Sequence, residues 1–213
     1  MFKRSVVLKA NKIKSVPGIS PDYKTIIFFT LFICGLIIGV SLIKKGNSDF
    51  TEFFSKLLRN NITAKIDSSW LRCFCGEFVW LFLLVFVDFI CGLCGVGLPL
   101  IWLVPICFGC VSGLVLSLFY VNYGLTGLGY CSLINVPCYA ITAATLVKCC
   151  CESTKVSNEI FLFILGGRKN DNIKESLLKD YIINYLLLCI PIVIAALIST
   201  GSLKLFSGLF NFV

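Results

Sequence analysis

Apolar residues in this chain come in long unbroken runs, with neither the strict alternation of a half-buried strand nor the one-faced spacing of a soluble surface helix. Thr25 to Ile43 holds 19 residues without a charge, and Tyr181 to Leu203 is uncharged throughout. Between them, Phe89 to Val147 contains no Asp, Glu, Lys or Arg in 59 residues. About 20 apolar residues in a helix cross the hydrocarbon core of a bilayer, roughly 30 Å thick, so each run predicts at least one membrane-crossing helix. Helices and closed barrels alone satisfy the backbone in lipid, and continuous hydrophobicity favours helices over barrel strands.

The 59-residue stretch is too long for one span and carries two sets of breakers. Gly97-Leu98-Pro99 supplies the first, because proline lacks an amide donor and disfavours helix at the residue before it. Asn122-Tyr123-Gly124, followed by Gly127 and Gly129, supplies the second. The chain is therefore expected to be an all-α polytopic membrane helix bundle, a single integral domain over residues 1–213. Its five spans are placed at 25–43, 78–94, 100–121, 130–147 and 181–203, with an outer loop at 44–77 and a cytoplasmic loop at 148–180. Pro191 should bend the last span. Ile160 to Gly167 is apolar but too short to cross, and reads as interfacial or packed on the bundle. A charged helix from Lys174 to Ile183 should run straight into the fifth span.

Two patterns lie outside those spans. Phe50, Phe53, Phe54, Leu57 and Leu58 recur at helical spacing among Asp49, Glu52, Lys56 and Arg59, which predicts an amphipathic helix on the outer surface. Its apolar face either rests on lipid and neighbouring spans or docks an external partner. The 19 basic residues divide into six before the first span, six from Lys44 to Arg72, six from Lys148 to Lys179, and Lys204. With five spans and the N-terminus inside, twelve lie in the cytoplasm and seven outside, so the positive-inside rule favours N-in and C-out. The first run is read as an uncleaved anchor, since it is longer than the apolar core of a secretory signal and is followed by Lys44-Lys45.

Composition sharpens this picture. Hydrophobic residues make up 58% and charged residues 14%, with a mean hydropathy of +0.94; an ordinary globular chain has roughly half and a quarter, so a soluble fold is excluded. The net charge of +8 is dispersed around apolar helices, which points to juxtamembrane contact with anionic lipid and not to nucleic acid. The absence of histidine removes imidazole bases, the common zinc protease motif and His-ligated haem. Thirteen cysteines include Cys91-x-x-Cys94, Cys107-x-x-Cys110 and the triplet Cys149 to Cys151. Those inside spans read as small apolar packing residues in place of metal ligands, while the triplet, beside Lys148, is a candidate for acylation. No cofactor or metal is expected, and no loop is long enough to form a separate catalytic domain, so the chain is read as a non-enzyme.

Asp88 is the one formal charge well inside a span. Ten residues beyond Phe78, at about 1.5 Å each, it would sit roughly 15 Å deep, where ionisation costs several kcal/mol. It is either a hydrogen-bonding group between helices or part of a conduction path, so a small transporter or channel is the alternative function. Gly35-x-x-x-Gly39 and Gly109-x-x-x-Gly113, with Ser117, form small-residue grooves that let another helix approach closely, in one bundle or in a homo-oligomer.

The ordered set Gly97-Leu98-Pro99, Gly109, Gly113, Asn122, Gly124, Gly127 and Pro137 resembles the stage II sporulation protein M family of endospore-forming bacteria. Chain length, the basic N-terminus, the early span and the aromatic outer loop also fit. After Pro137 the chain has Cys138-Tyr139 where the family tends to carry amides, and Asp88 is outside its pattern. The resemblance implies a multi-pass protein of the bacterial cell membrane, at the sporulation septum. It would be a non-enzymatic scaffold that localises two peptidoglycan-degrading partners during engulfment of the forespore. No active-site residue is implied. The outer face, chiefly Phe50 to Leu58, is then the expected partner contact.

Overall fold

The computed structural model describes residues 23–46, 48–95, 97–164 and 171–206. Every regular element among the described residues is a helix: α1 (Tyr23–Lys45), α2 (Ser48–Asp67), α3 (Trp70–Leu93), α4 (Leu98–Ile164) and α5 (Asp171–Phe206). All but α2 are long and apolar enough to cross a membrane. The basic segment before residue 23, apart from Lys24, lies outside the described residues, as does the end of the short apolar run at 165–167.

A straight helix of 67 residues would be about 100 Å long, and α4 is instead folded in two at Gly124. Its φ of 59° and ψ of −138° place the backbone where a β-carbon is strained. The limbs then run antiparallel. Phe119 meets Tyr130 with ring centroids 5.1 Å apart, Phe108 meets Tyr139 at 5.9 Å, and the Cys150 thiol reaches the Ile101 carbonyl at 3.7 Å. Asn122 ties the bend to α2: its Nδ2 donates to the Leu118 carbonyl at 2.9 Å and to Ser55 Oγ of α2 at 3.0 Å. Gly127 is needed just beyond, because a β-carbon there would overlap the Phe119 carbonyl.

The first limb of α4 lies parallel to α1, and glycines on both helices make the approach close. A β-carbon on Gly35 or Gly39 would overlap the carbonyls of Ile106 and Cys110, and one on Gly109 or Gly113 would overlap those of Phe32 and Leu36. Each groove therefore seats the other helix's backbone, the arrangement that small residues four apart permit. Phe28 packs edge-on to Trp102 at 6.0 Å, and Phe32 stacks on Phe108 at 5.8 Å, on the same seam.

Helices α3 and α5 complete the bundle against the returning limb of α4. The connection from α3 to α4 turns on Gly97, whose amide donates to the Cys94 carbonyl at 2.9 Å and whose carbonyl accepts from Ile101 at 3.0 Å. Pro99 follows in the first turn of α4, where its missing amide costs nothing. Pro105, Pro137 and Pro191 lie inside helices.

Two buried clusters fill the bundle. The larger includes Phe28, Leu81, Ile101, Leu146, Tyr181 and Ile192. The smaller, near the bend of α4, joins Cys73, Phe119, Tyr130, Cys131, Ile134 and Leu203. Outward, the helices show mostly apolar side chains: Ile26, Ile37 and Leu42 of α1, Val79, Trp80 and Phe86 of α3, and Leu186, Ile190 and Ile194 of α5 are all exposed. Trp70, Phe74, Phe78, Phe82 and Phe86 stack in sequence along α3, each ring about one turn from the next.

Helix α2 packs across one end of the bundle. Leu58, Ile62 and Ile66 lie against the smaller cluster, and Lys65 pairs with Glu77 of α3 at 2.6 Å. Lys204, near the end of α5, donates to the carbonyls of Ile66 and Ser68 at 2.7 Å each, placing a cation where the helix dipole is negative.

Candidate functional site

The densest set of buried polar side chains joins three helices at the opposite end from α2. Asp88 projects inward from α3 and is fully buried. One of its oxygens, Oδ2, accepts from Tyr185 of α5 at 2.6 Å and from Ser153 of the returning α4 limb at 2.9 Å. Ser153 Oγ also contacts the Tyr185 hydroxyl directly and lies 3.2 Å from that of Tyr181, so the four side chains form one connected network. The Tyr181 hydroxyl also lies 3.1 Å from the Phe89 carbonyl. Asp88 Oδ1 has no hydrogen-bond partner among the described residues.

Helix register explains why these groups meet. Tyr181 and Tyr185 are one turn apart and so share a face of α5, and Phe89 stacks flat on Tyr181 at 5.1 Å. Gly92, one turn after Asp88, clears the space: a β-carbon there would overlap the Tyr181 hydroxyl and lie 3.0 Å from the Ser153 backbone. Ser157 extends the same edge by donating to the Cys94 carbonyl at 2.8 Å.

Asp88 lies toward the C-terminal end of α3. The helix begins at Trp70 and ends at Leu93, which leaves Asp88 only five residues, about 7.5 Å, from its C-terminal end. Its layer is that of Ser153, between Lys148 and Lys155 on α4. Glu77, which interrupts the apolar pattern nearer the start of α3, is paired with Lys65.

Sealed as it is, the cluster suits a clamp between α3, α4 and α5 better than a reaction centre, because a substrate would have no surface to reach. Ser153, Tyr181 and Tyr185 are the members that sequence reasoning missed. The signal available was two tyrosines one turn apart at the start of an apolar run, with a serine just beyond the Cys149 to Cys151 triplet.

The remaining candidates fall in three places. Phe50, Phe53 and Leu57 are exposed on α2, whereas Phe54 and Leu58 are half-buried, with Leu58 turned to the bundle. Gly35, Gly39, Gly109 and Gly113 form the seam between α1 and α4, Gly97 and Pro99 the α3–α4 connection, and Gly124 and Gly127 the bend, while Pro137 lies in the returning limb. Of the triplet, Cys149 and Cys150 are fully buried, out of reach of an acyl donor, while Cys151 sits 3.7 Å from Thr25 Oγ1. No group of three or more metal-ligating side chains occurs among the described residues. No family model, curated protein or solved structure matches the chain.

Proposed function

We propose that the protein is a multi-pass membrane scaffold that crosses the bilayer five times, with its N-terminus inside and its C-terminus outside. The two limbs of α4 count as separate crossings, since their combined length is several bilayer thicknesses. The apolar outer surface of α1, α3 and α5 supports lipid as the surrounding solvent, because a chain in water does not expose contiguous patches of this kind. Bundle, clamp and seam then serve to hold α2 at the outer surface.

The observation that carries the scaffold reading is the division of α2 into flanks. Leu58, Ile62, Ile66 and Lys65 tie it to the bundle, while Phe50, Phe53 and Leu57 stay exposed beside the charges of Glu52, Lys56 and Arg59. A helix fixed on one side and apolar on another is suited to receive a partner. The resemblance carried by Gly97 to Pro137 names the setting: the septal membrane during engulfment, with peptidoglycan-degrading enzymes as partners and no catalysis by the scaffold itself.

The test replaces Phe50, Phe53 and Leu57 together by glutamine. Phe54 is left alone because it is half-buried and its ring lies 4.6 Å from Phe50. The variant should insert and melt as the parent does, yet no longer co-purify with cell-wall hydrolases from sporulating cells. Undiminished co-purification would take α2 out of the scaffold.

A further inference from the structure

At the same end as the Asp88 cluster, but on the outer side of α4, an open groove of about 390 Å³ lies between the start of α1, the returning limb of α4 and the middle of α5. Thr25, Lys148, Cys151, Glu152, Lys155 and Asn184 line it, and Leu187 and Leu188 form its apolar wall. Its volume falls in the roughly 300–1,000 Å³ range of small-molecule sites. We propose that this groove binds the headgroup phosphate of an anionic phospholipid.

Position and charge both favour that ligand. Lys148, Cys151, Glu152 and Lys155 recur at helical spacing on one face of α4, and Asn184, Leu187 and Leu188 do so on α5. Glu152 is paired with Lys155 at 2.7 Å, while Lys148 is exposed and has no ion-pair partner among the described residues. Two lysines and one glutamate leave the lining with a single net positive charge, which complements the single negative charge of a phosphodiester. Asn184 supplies an amide donor. A zwitterionic lipid would bring its own cation to compete with Lys148. Leu187 and Leu188 lie one turn further along α5 than Asn184, the side on which the glycerol and first methylenes of an acyl chain would continue into the bilayer. A free inorganic anion has no use for such a wall, and basic pockets between membrane helices on the cytoplasmic side are where anionic headgroups bind.

The proposal rests on the membrane reading but is independent of the scaffold role. Its test is native mass spectrometry of the full chain released from detergent micelles, with phosphatidylglycerol or phosphatidylcholine added at equal concentration. The parent should retain phosphatidylglycerol about tenfold better, the size expected from basic groups near an anionic surface. Lys148→Gln with Lys155→Gln should abolish the preference without changing the melting point. Lys44→Gln with Lys45→Gln, at the far end of α1, should leave it intact, and inorganic phosphate added in large excess over the lipid should not displace it. Equal retention of the two lipids, or a preference untouched by the Lys148/Lys155 replacement, would overturn the proposal. So would displacement by inorganic phosphate, which would make the groove a site for free anion. If the chain were monodisperse without detergent, the membrane reading itself would fail, an outcome separate from all of these.

Discussion

A carboxyl enclosed by apolar helices is costly unless it is neutral or well bonded, and at Asp88 the bonding comes from hydroxyls with no basic residue involved. Tyr185 is the shorter contact at 2.6 Å, and it also lies 3.3 Å from the Cys149 carbonyl, so its loss should be felt most. Tyr185→Phe is expected to destabilise the protein by about 1–2 kcal/mol, the range for a buried hydrogen bond whose partner stays behind. Tyr181→Phe should cost less, because it reaches Asp88 only through Ser153. A double-mutant cycle of Tyr185→Phe with Asp88→Ala, read from unfolding in mixed micelles, should give a coupling of at least about 0.6 kcal/mol, the average for interhelical bonds in membranes, and at most about 1.7 kcal/mol. Additive effects would mean that the two groups meet without holding the helices. Asp88 was legible in the sequence because a charge stands out in an apolar run. Its partners were not, since they lie 65 and 97 residues further on and a hydroxyl interrupts no hydrophobic pattern.

Elements are held by backbone rules that a sequence shows only in part. The break at Asn122-Tyr123-Gly124 was visible as a cluster of turn-forming residues, and the structure puts the single positive φ among the described residues at Gly124. Here sterics decide the outcome of substitution without any need for crowding, because nothing lies within 4 Å of a β-carbon built at that position. Gly124→Ala should therefore lose about 1–3 kcal/mol from backbone strain alone. Gly129→Ala meets equally open space on ordinary helical backbone, and should be neutral or stabilise by a few tenths to about 1 kcal/mol. Melting temperatures of the two variants in one detergent give the comparison; equal shifts would place the bend elsewhere. The glycine seam was legible as two grooves but not as a pair. Spacing reports that a helix face is smooth, whereas the match of Gly35 to Ile106 and Gly109 to Phe32 depends on how α1 and α4 lie in space. The helix also extends before the apolar run: α3 begins at Trp70 and takes in Arg72 and Glu77, the latter paired with Lys65 of α2.

At the scale of the whole molecule, the two ends of the bundle carry different chemistry, and this fixes what a topology experiment should find. One end holds α2, the bend at Gly124 and Lys204, tied together through Asn122 to Ser55 and through Lys204 to the last carbonyls of α2. The other holds the α3–α4 connection, the Asp88 cluster and the groove with Lys148 and Lys155. Hydrogen bonds rather than hydropathy thus put 55, 66, 122 and 204 at one end of the bundle, and the proposed five crossings then place that end on one side of the bilayer. Alkaline phosphatase folds only outside the cytoplasmic membrane, so fusions report the side directly. Fusion after Phe206 should be active, and so should insertion at Gly46 or Gly124. Insertion between α4 and α5 should be inactive. Activity at both Gly124 and the α4–α5 connection would require the returning limb to stop short of the far side. That would contradict the contact of Cys150 with Ile101 and pull Ser153 away from Asp88. The positive-inside count, twelve against seven, favours the N-terminus inside; the bonds at Lys204 and Asn122 make the sidedness of the C-terminus and of the bend a single question with one answer.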